Sequence, residues 1–175
     1  RNDFCISICI CFKIFKFNMI RIAILGSTGS IGKKTVEIIK NNKKNYKVEL
    51  LTTNKNIVEL LKQSKILKVK HLIITDKECY LKFKKKNKKK NIKVFNNFNN
   101  LKDIFKYKID YVMSSISGLD GLDPTLKIIR YTKKIGIANK ETIICAWNIL
   151  KKKLNKFNTK FIPIDSEHFS IWSLL

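Results

Sequence analysis

Short apolar runs punctuate the chain at Ile20–Leu25, Lys47–Thr53, His71–Thr75, Ile92–Phe95, Asp110–Ser114, Ile135–Ala138 and Lys160–Ile164. Brief runs bounded by turn residues, apolar on consecutive positions rather than alternating, are the pattern of strands buried on both faces. Between them lie segments with helical spacing. KKTVEIIKNN carries Val36 and Ile39 on one side, and Asn56–Lys65 gathers Ile57, Leu60 and Leu61. Asp76 can cap a lysine-rich helix that ends in the charge block Lys84–Lys90, and Asn96–Asn100 reads as a turn. Asp123-Pro124 is a helix start, with an N-cap acceptor and proline in the first turn, opening a helix over Thr125–Lys134. A last helix is expected over Thr142–Leu154. Strands alternating with helices predict an α/β domain built on a doubly wound, mostly parallel sheet.

The first run leads directly into Gly26, Gly29 and Gly32, a GxxGxxG spacing, and then into the first helix. That order brings backbone N–H groups and a helix N-terminus to a pyrophosphate, as in Rossmann-like domains. Gly26 permits the tight turn, Gly29 leaves out a β-carbon where phosphate approaches, and Gly32 lets helix close on strand. Ser27, Thr28 and Ser30 add hydroxyl donors. An ordinary glycine-rich turn can share this spacing, so the motif alone says nucleotide and no more.

Composition changes the picture little. With 175 residues, 45% of them hydrophobic, the chain is long enough to bury one sizeable core. A net charge of +24 suggests nucleic acid, but Arg1, Arg21 and Arg130 are the only arginines, and the lysines are spread along the whole chain. A nucleic-acid face clusters arginine with aromatic residues on one element. No dedicated nucleic-acid partner is expected; the Lys/Asn/Ile usage matches an AT-rich genome. Cys5, Cys9, Cys11, Cys79 and Cys145 show no metal spacing, and their odd number fits a reducing compartment. Cys145, inside TIICAW, reads as core. Residues 1–18 differ from the rest. Their apolar run Phe4–Phe12 is far shorter than the ~20 residues that span a bilayer, so no membrane partner is expected. They read either as part of a targeting segment or, the preferred reading, as translation upstream of a start at Met19.

The end of the second strand bears on the cofactor. An NAD enzyme places an acid there, about 20 residues past the glycines, to hold the ribose 2′-hydroxyl. Here the chain reads Thr52-Thr53-Asn54-Lys55-Asn56, with no carboxylate and a lysine suited to a 2′-phosphate. NADPH is favoured over NADH, although Lys55 is one lysine among many. Two further groups stand at later strand ends, where open α/β sheets bind ligands. In Asn139-Lys140-Glu141, an amide and an ammonium can meet an oxygenated substrate and the nicotinamide half; equally, Asn139 suits a turn and Glu141 a first helical turn. In Asp165-Ser166-Glu167-His168, two carboxylates at i and i+2 can converge on a hard cation, or Asp165 can cap a final helix.

Taken together, GSTGSIG at Gly26–Gly32, GLDGLDPTL, IANKE at Ile137–Glu141 and PIDSEH at Pro163–His168 resemble the N-terminal part of the 1-deoxy-D-xylulose 5-phosphate reductoisomerases. The resemblance runs from Met19 onward and implies an oxidoreductase that converts a sugar phosphate, 1-deoxy-D-xylulose 5-phosphate, to 2-C-methyl-D-erythritol 4-phosphate. It would do so with NADPH and Mg²⁺ or Mn²⁺, in non-mevalonate isoprenoid synthesis. By the match, Gly26, Thr28, Gly29, Ser30 and Ile31 contact NADPH, with Asn54, Lys55 and Asn56 near its 2′-phosphate and Asn139 and Glu141 also on the cofactor. Lys140, Ser166 and Glu167 meet substrate, Lys140 and Glu167 as catalytic residues, and Asp165 and Glu167 ligate the metal. The resemblance also implies a homodimer, bacterial cytoplasmic, or plastid if residues 1–18 target it. Its domains would be 19–150 for NADPH and 151–175 as the start of a catalytic domain.

There are departures. Asn54 replaces a family glycine, and Phe169-Ser170-Ile171-Trp172 keeps an apolar rhythm without the family's identity. The family's remaining metal carboxylate, mobile loop and phosphate site would lie past Leu175, so the chain reads as a fragment, inactive alone. Another NADP-binding dehydrogenase domain and a non-catalytic nucleotide-binding module stay open as alternatives.

Overall fold

The structure is a computed structural model that describes residues 19–86 and 91–164. Seven strands form one sheet in the order β4-β3-β2-β1-β5-β6-β7, and every neighbouring pair is parallel. The strands are β1 (Ile20–Leu25), β2 (Tyr46–Thr53), β3 (His71–Ile74), β4 (Lys93–Phe95), β5 (Ile109–Ser114), β6 (Thr132–Ile137) and β7 (Lys160–Pro163). The helices are α1 (Ser30–Asn41), α2 (Ile57–Leu67), α3 (Lys77–Lys86), the single turn α4 (Leu101–Ile104), α5 (Leu122–Ile128) and α6 (Lys140–Lys156).

Side chains alternate across a strand, so each strand feeds two cores. Ile20, Ile22 and Ile24 of β1 join Val36 and Ile39 of α1, Leu60 of α2 and Phe83 of α3 on one face. Ala23 and Leu25 point the other way, into a cluster with Leu101, Ile128, Ile143, Leu150 and Leu154 from α4, α5 and α6. Burial on both faces is why the strands are apolar at consecutive positions. Chain order reverses at β1, which has β2 on one side and β5 on the other. Ligands bind at the carboxyl ends of the strands at such a point.

Two expectations need correction. The helix expected over Thr125–Lys134 stops at Ile128, a 3₁₀ turn follows, and β6 begins at Thr132. The buried Thr132 pairs with Ile109 across the sheet, and its hydroxyl donates to the Lys134 carbonyl at 2.8 Å. Asp123 lies inside the first turn of α5 rather than at its cap; it is exposed and pairs with Lys127 at 2.8 Å. Residue 150 lies within α6, and β7 pairs with β6 in the same sheet. Most of the block Lys84–Lys90 lies outside the described residues. Among the described residues no helix is long and apolar enough to cross a membrane.

Candidate functional site

The β1–α1 turn is fixed from two sides. Gly26 adopts φ +75°, a region that L side chains avoid, and a β-carbon there would lie 2.8 Å from the Ser115 carbonyl oxygen. Its N–H donates to Thr52 Oγ1 at 2.8 Å, and the Ser27 N–H donates to the Thr52 carbonyl at 2.9 Å. From α2, Gln63 Nε2 donates to the Ser27 carbonyl at 2.9 Å. Ser27 is fully buried and its hydroxyl donates to the Thr52 carbonyl, so it offers nothing to a ligand, contrary to expectation. Thr28 Oγ1 lies 2.7 Å from Thr53 Oγ1.

Past the turn, the glycines divide two jobs. A β-carbon on Gly32 would fall 2.6 Å from Ser27 Cα and closer still to the Gly26 carbonyl; its absence lets α1 seat on the turn. A β-carbon on Gly29 would meet nothing nearer than 3.4 Å. Gly29 thus leaves open space beside the turn. The amides of Ser30, Ile31 and Gly32 form the first turn of α1, whose N–H groups have no intrahelical acceptor. No side chain caps this helix and no acidic residue stands in its first turn. An uncapped N-terminus with room beside it suits an anion.

Around the turn opens a cavity of about 830 Å³, at the carboxyl ends of β1, β2, β3 and β5. Gly26, Thr28 and Gly29 form its floor; Asn54 and Asp76 flank one end; Ser115 to Ser117 and Leu119 flank the other. Asn54 does not need the glycine of the resembling family, since its φ is not positive. Lys55 is exposed, its Nζ 3.9 Å from Asp76 Oδ2. Asn56 caps α2, accepting from the Glu59 N–H at 3.1 Å. Asp76 caps α3, as expected, by accepting from the Cys79 N–H at 2.8 Å. That hydrogen bond, the Cys79 thiol and Lys55 together hold its carboxyl below the usual carboxylate value, against a smaller effect of burial.

Asn139 is buried, and its side chain is committed to the protein. Oδ1 accepts from the Thr142 N–H at 2.9 Å, capping α6, while Nδ2 donates to the carbonyls of Ile116 and Gly118, each at 2.6 Å. Its amide thus braces the loop that walls the cavity. Lys140 and Glu141 open α6 and are exposed. Cys145 is exposed rather than core: the buried stripe of α6 runs through Ile143, Ala146, Leu150 and Leu154 and turns residue 145 outward. Asp165, Ser166, Glu167 and His168 lie outside the described residues. Ile164, just before them, donates its N–H to the Ile137 carbonyl, at the same sheet edge from which α6 starts. Among the described residues no three His, Cys, Asp or Glu side chains gather as a metal site.

Reading the sequence missed Thr52, Gln63 and Asp76 as parts of this site. Gln63 carried a usable signal, a polar residue on the apolar stripe of its helix. Asp76 could not be placed, because only the strand order sets the end of β3 beside that of β2.

Fold and site together define a dinucleotide-binding α/β domain of the Rossmann type. The chain belongs to the 1-deoxy-D-xylulose 5-phosphate reductoisomerase family, whose family model matches residues 22–147. The reductoisomerase of Pelagibacter ubique is 58% identical over 159 residues, covering 90% of this chain and 41% of that relative. A Clostridium tetani reductoisomerase is 39% identical over 161 residues, covering 90% of this chain and 42% of its own length. The solved reductoisomerase of Zymomonas mobilis in complex with NADPH superimposes with a TM-score of 0.81 at 30% identity, over 90% of this chain and 42% of that one. Another, in complex with NADPH, fosmidomycin and magnesium, gives a TM-score of 0.80 at 29% identity, over 89% of this chain and 39% of that one. The chain thus spans about two-fifths of the length of the relatives it matches.

Proposed function

We propose that this chain supplies the NADPH-binding part of an enzyme that reductively isomerises 1-deoxy-D-xylulose 5-phosphate to 2-C-methyl-D-erythritol 4-phosphate. The observation that carries the reading is the Gly29 cradle, open beside the uncapped N-terminus of α1 at the point where strand order reverses. The amides of Ser30, Ile31 and Gly32 hold the pyrophosphate, with the Thr28 hydroxyl beside them. Lys55 faces the 2′-phosphate from the end of β2. Asn139 keeps the loop from Ile116 to Gly118 in place as the wall against which the nicotinamide half lies. When bound, NADPH supplies a hydride.

Lys140 and Glu141 enter at the end of β6, where α6 begins, and orient an oxygenated substrate and the cofactor. Asp165 and Glu167 are the ligands for Mg²⁺ or Mn²⁺ in this reading, with Ser166 and Glu167 on the substrate. Support for those roles is the order of the motifs along the chain and the metal and inhibitor named in the related complex. The complete enzyme acts as a homodimer in the same reading. Fluorescence titration of the chain with NADPH tests the binding half, with saturable binding expected. Binding that survives unchanged in Gly29→Ala would show that the cradle is not the site.

A further inference from the structure

We propose that Asp76 is a specificity-determining residue of the dinucleotide site, limiting the preference for a 2′-phosphorylated cofactor that Lys55 creates. The inference rests on the cofactor reading above. The second strand ends without a carboxylate, but the fold supplies one from its neighbour. β3 pairs beside β2, the Thr75 N–H donates to the Thr53 carbonyl at 3.0 Å, and Asp76 emerges into the cavity that Asn54 lines. Its Oδ1 is occupied by the cap of α3, whereas Oδ2 faces Lys55 at 3.9 Å.

Two consequences follow from charge. A 2′-phosphate approaching Lys55 meets the Asp76 carboxylate beside it, and like charges so placed repel. A free 2′-hydroxyl meets an acceptor of the kind that NAD enzymes use, delivered here from the next strand. Lys55 favours NADPH, then, while Asp76 taxes the phosphate and tolerates the hydroxyl. The carboxylate stays ionised at neutral pH, because its hydrogen bonds with Cys79 and its charge contact with Lys55 favour that form.

Asp76→Asn tests this cleanly, since asparagine caps a helix as well as aspartate does. Asp76→Ser is a second uncharged cap should the amide disturb the turn. Dissociation constants for NADPH and NADH are measured by fluorescence on the full chain, wild type and variants, with thermal unfolding as the check on folding. The expected result is NADPH bound roughly three- to tenfold more tightly by the uncharged variants, with NADH unchanged or weaker. The gain should shrink at high salt, where exposed charges are screened. Lys55→Ala should move the ratio the other way. A NADPH/NADH ratio that stays put in both folded variants, or moves toward NADH, overturns the proposal while leaving the cofactor reading intact. A wild-type chain that binds neither dinucleotide overturns both.

Discussion

The side-chain nitrogen of Asn139 lies 2.6 Å from where a β-carbon on Gly121 would stand, as does the Ile116 carbonyl oxygen, so no larger residue fits at Gly121 while Asn139 holds this loop. The second glycine of GLDG leaves room for the Ile116 carbonyl and for the amide that donates to it and to the Gly118 carbonyl. Asn139→Asp separates this brace from the cap. Aspartate still accepts from the Thr142 N–H but cannot donate to two carbonyls, and it places a carboxylate against them. The variant should lose about 1–3 kcal/mol of stability, and NADPH should bind more weakly because the loop is no longer held. Urea unfolding and a NADPH titration check both. An unchanged titration would mean that the loop does not touch the cofactor.

The two inner glycines of the turn should fail differently. Gly32→Ala forces a β-carbon against backbone that cannot retreat, and should cost about 1–3 kcal/mol as overpacking does. Gly29→Ala has room in the empty fold, so its melting temperature should stay near wild type while NADPH affinity collapses. Melting curves and titrations on the two variants separate a packing glycine from a binding one. Equal loss of stability in both would contradict the assignment.

Asp110 ties the sheet together across three strands, and its effect should depend on pH. Its carboxylate accepts from the Arg21 N–H at 2.9 Å and from Lys133 Nζ at 2.8 Å. Burial pushes its pKa up, but these bonds and the two positive charges outweigh that and hold it below the usual value. A carboxyl depressed in the folded state contributes fully above its unfolded pKa of about 3.9, and the contribution fades as pH falls through the folded value. Acid also raises the self-repulsion of an already basic chain, so the variant is the control. Asp110→Asn should be less stable than wild type near neutral pH, and the gap should close on acidification below about pH 4. Urea unfolding at several pH values measures it; a gap independent of pH would remove Asp110 as its source.

How much could be read from residues alone follows from the same physics. All seven strands were legible as short apolar runs, those at the centre of the sheet because burial on both faces leaves a pattern that no amphipathic helix shows. The glycines of the turn and of the helix packing were legible too, since Gly26 and Gly32 each demand a missing β-carbon at a set spacing. The end of α5 was not. Nothing between Thr125 and Lys134 breaks a helix, and only pairing of Thr132 with Ile109 draws the chain into the sheet. Cys145 was misjudged by its apolar neighbours, where the period of the buried stripe decides. Asp76 belongs to the site through strand order alone.

The metal assignment makes the last prediction. Asp165 and Glu167 are read as ligands, but each also suits the first turn of a helix. A chimera gives the test: residues 19–175 of this chain joined to the C-terminal part of the Pelagibacter ubique relative, which is 58% identical in the shared segment. That protein should turn over 1-deoxy-D-xylulose 5-phosphate with NADPH and Mg²⁺ or Mn²⁺. Mg²⁺ is held through few carboxylates with waters and substrate oxygens completing its shell, so losing one charge should be severe. In the chimera, Asp165→Asn and Glu167→Gln should each abolish turnover while NADPH affinity stays within a few-fold. As a helix cap, asparagine would replace Asp165 without loss. Wild-type turnover by the Asp165→Asn chimera would therefore make Asp165 a cap and leave the cation without its first ligand.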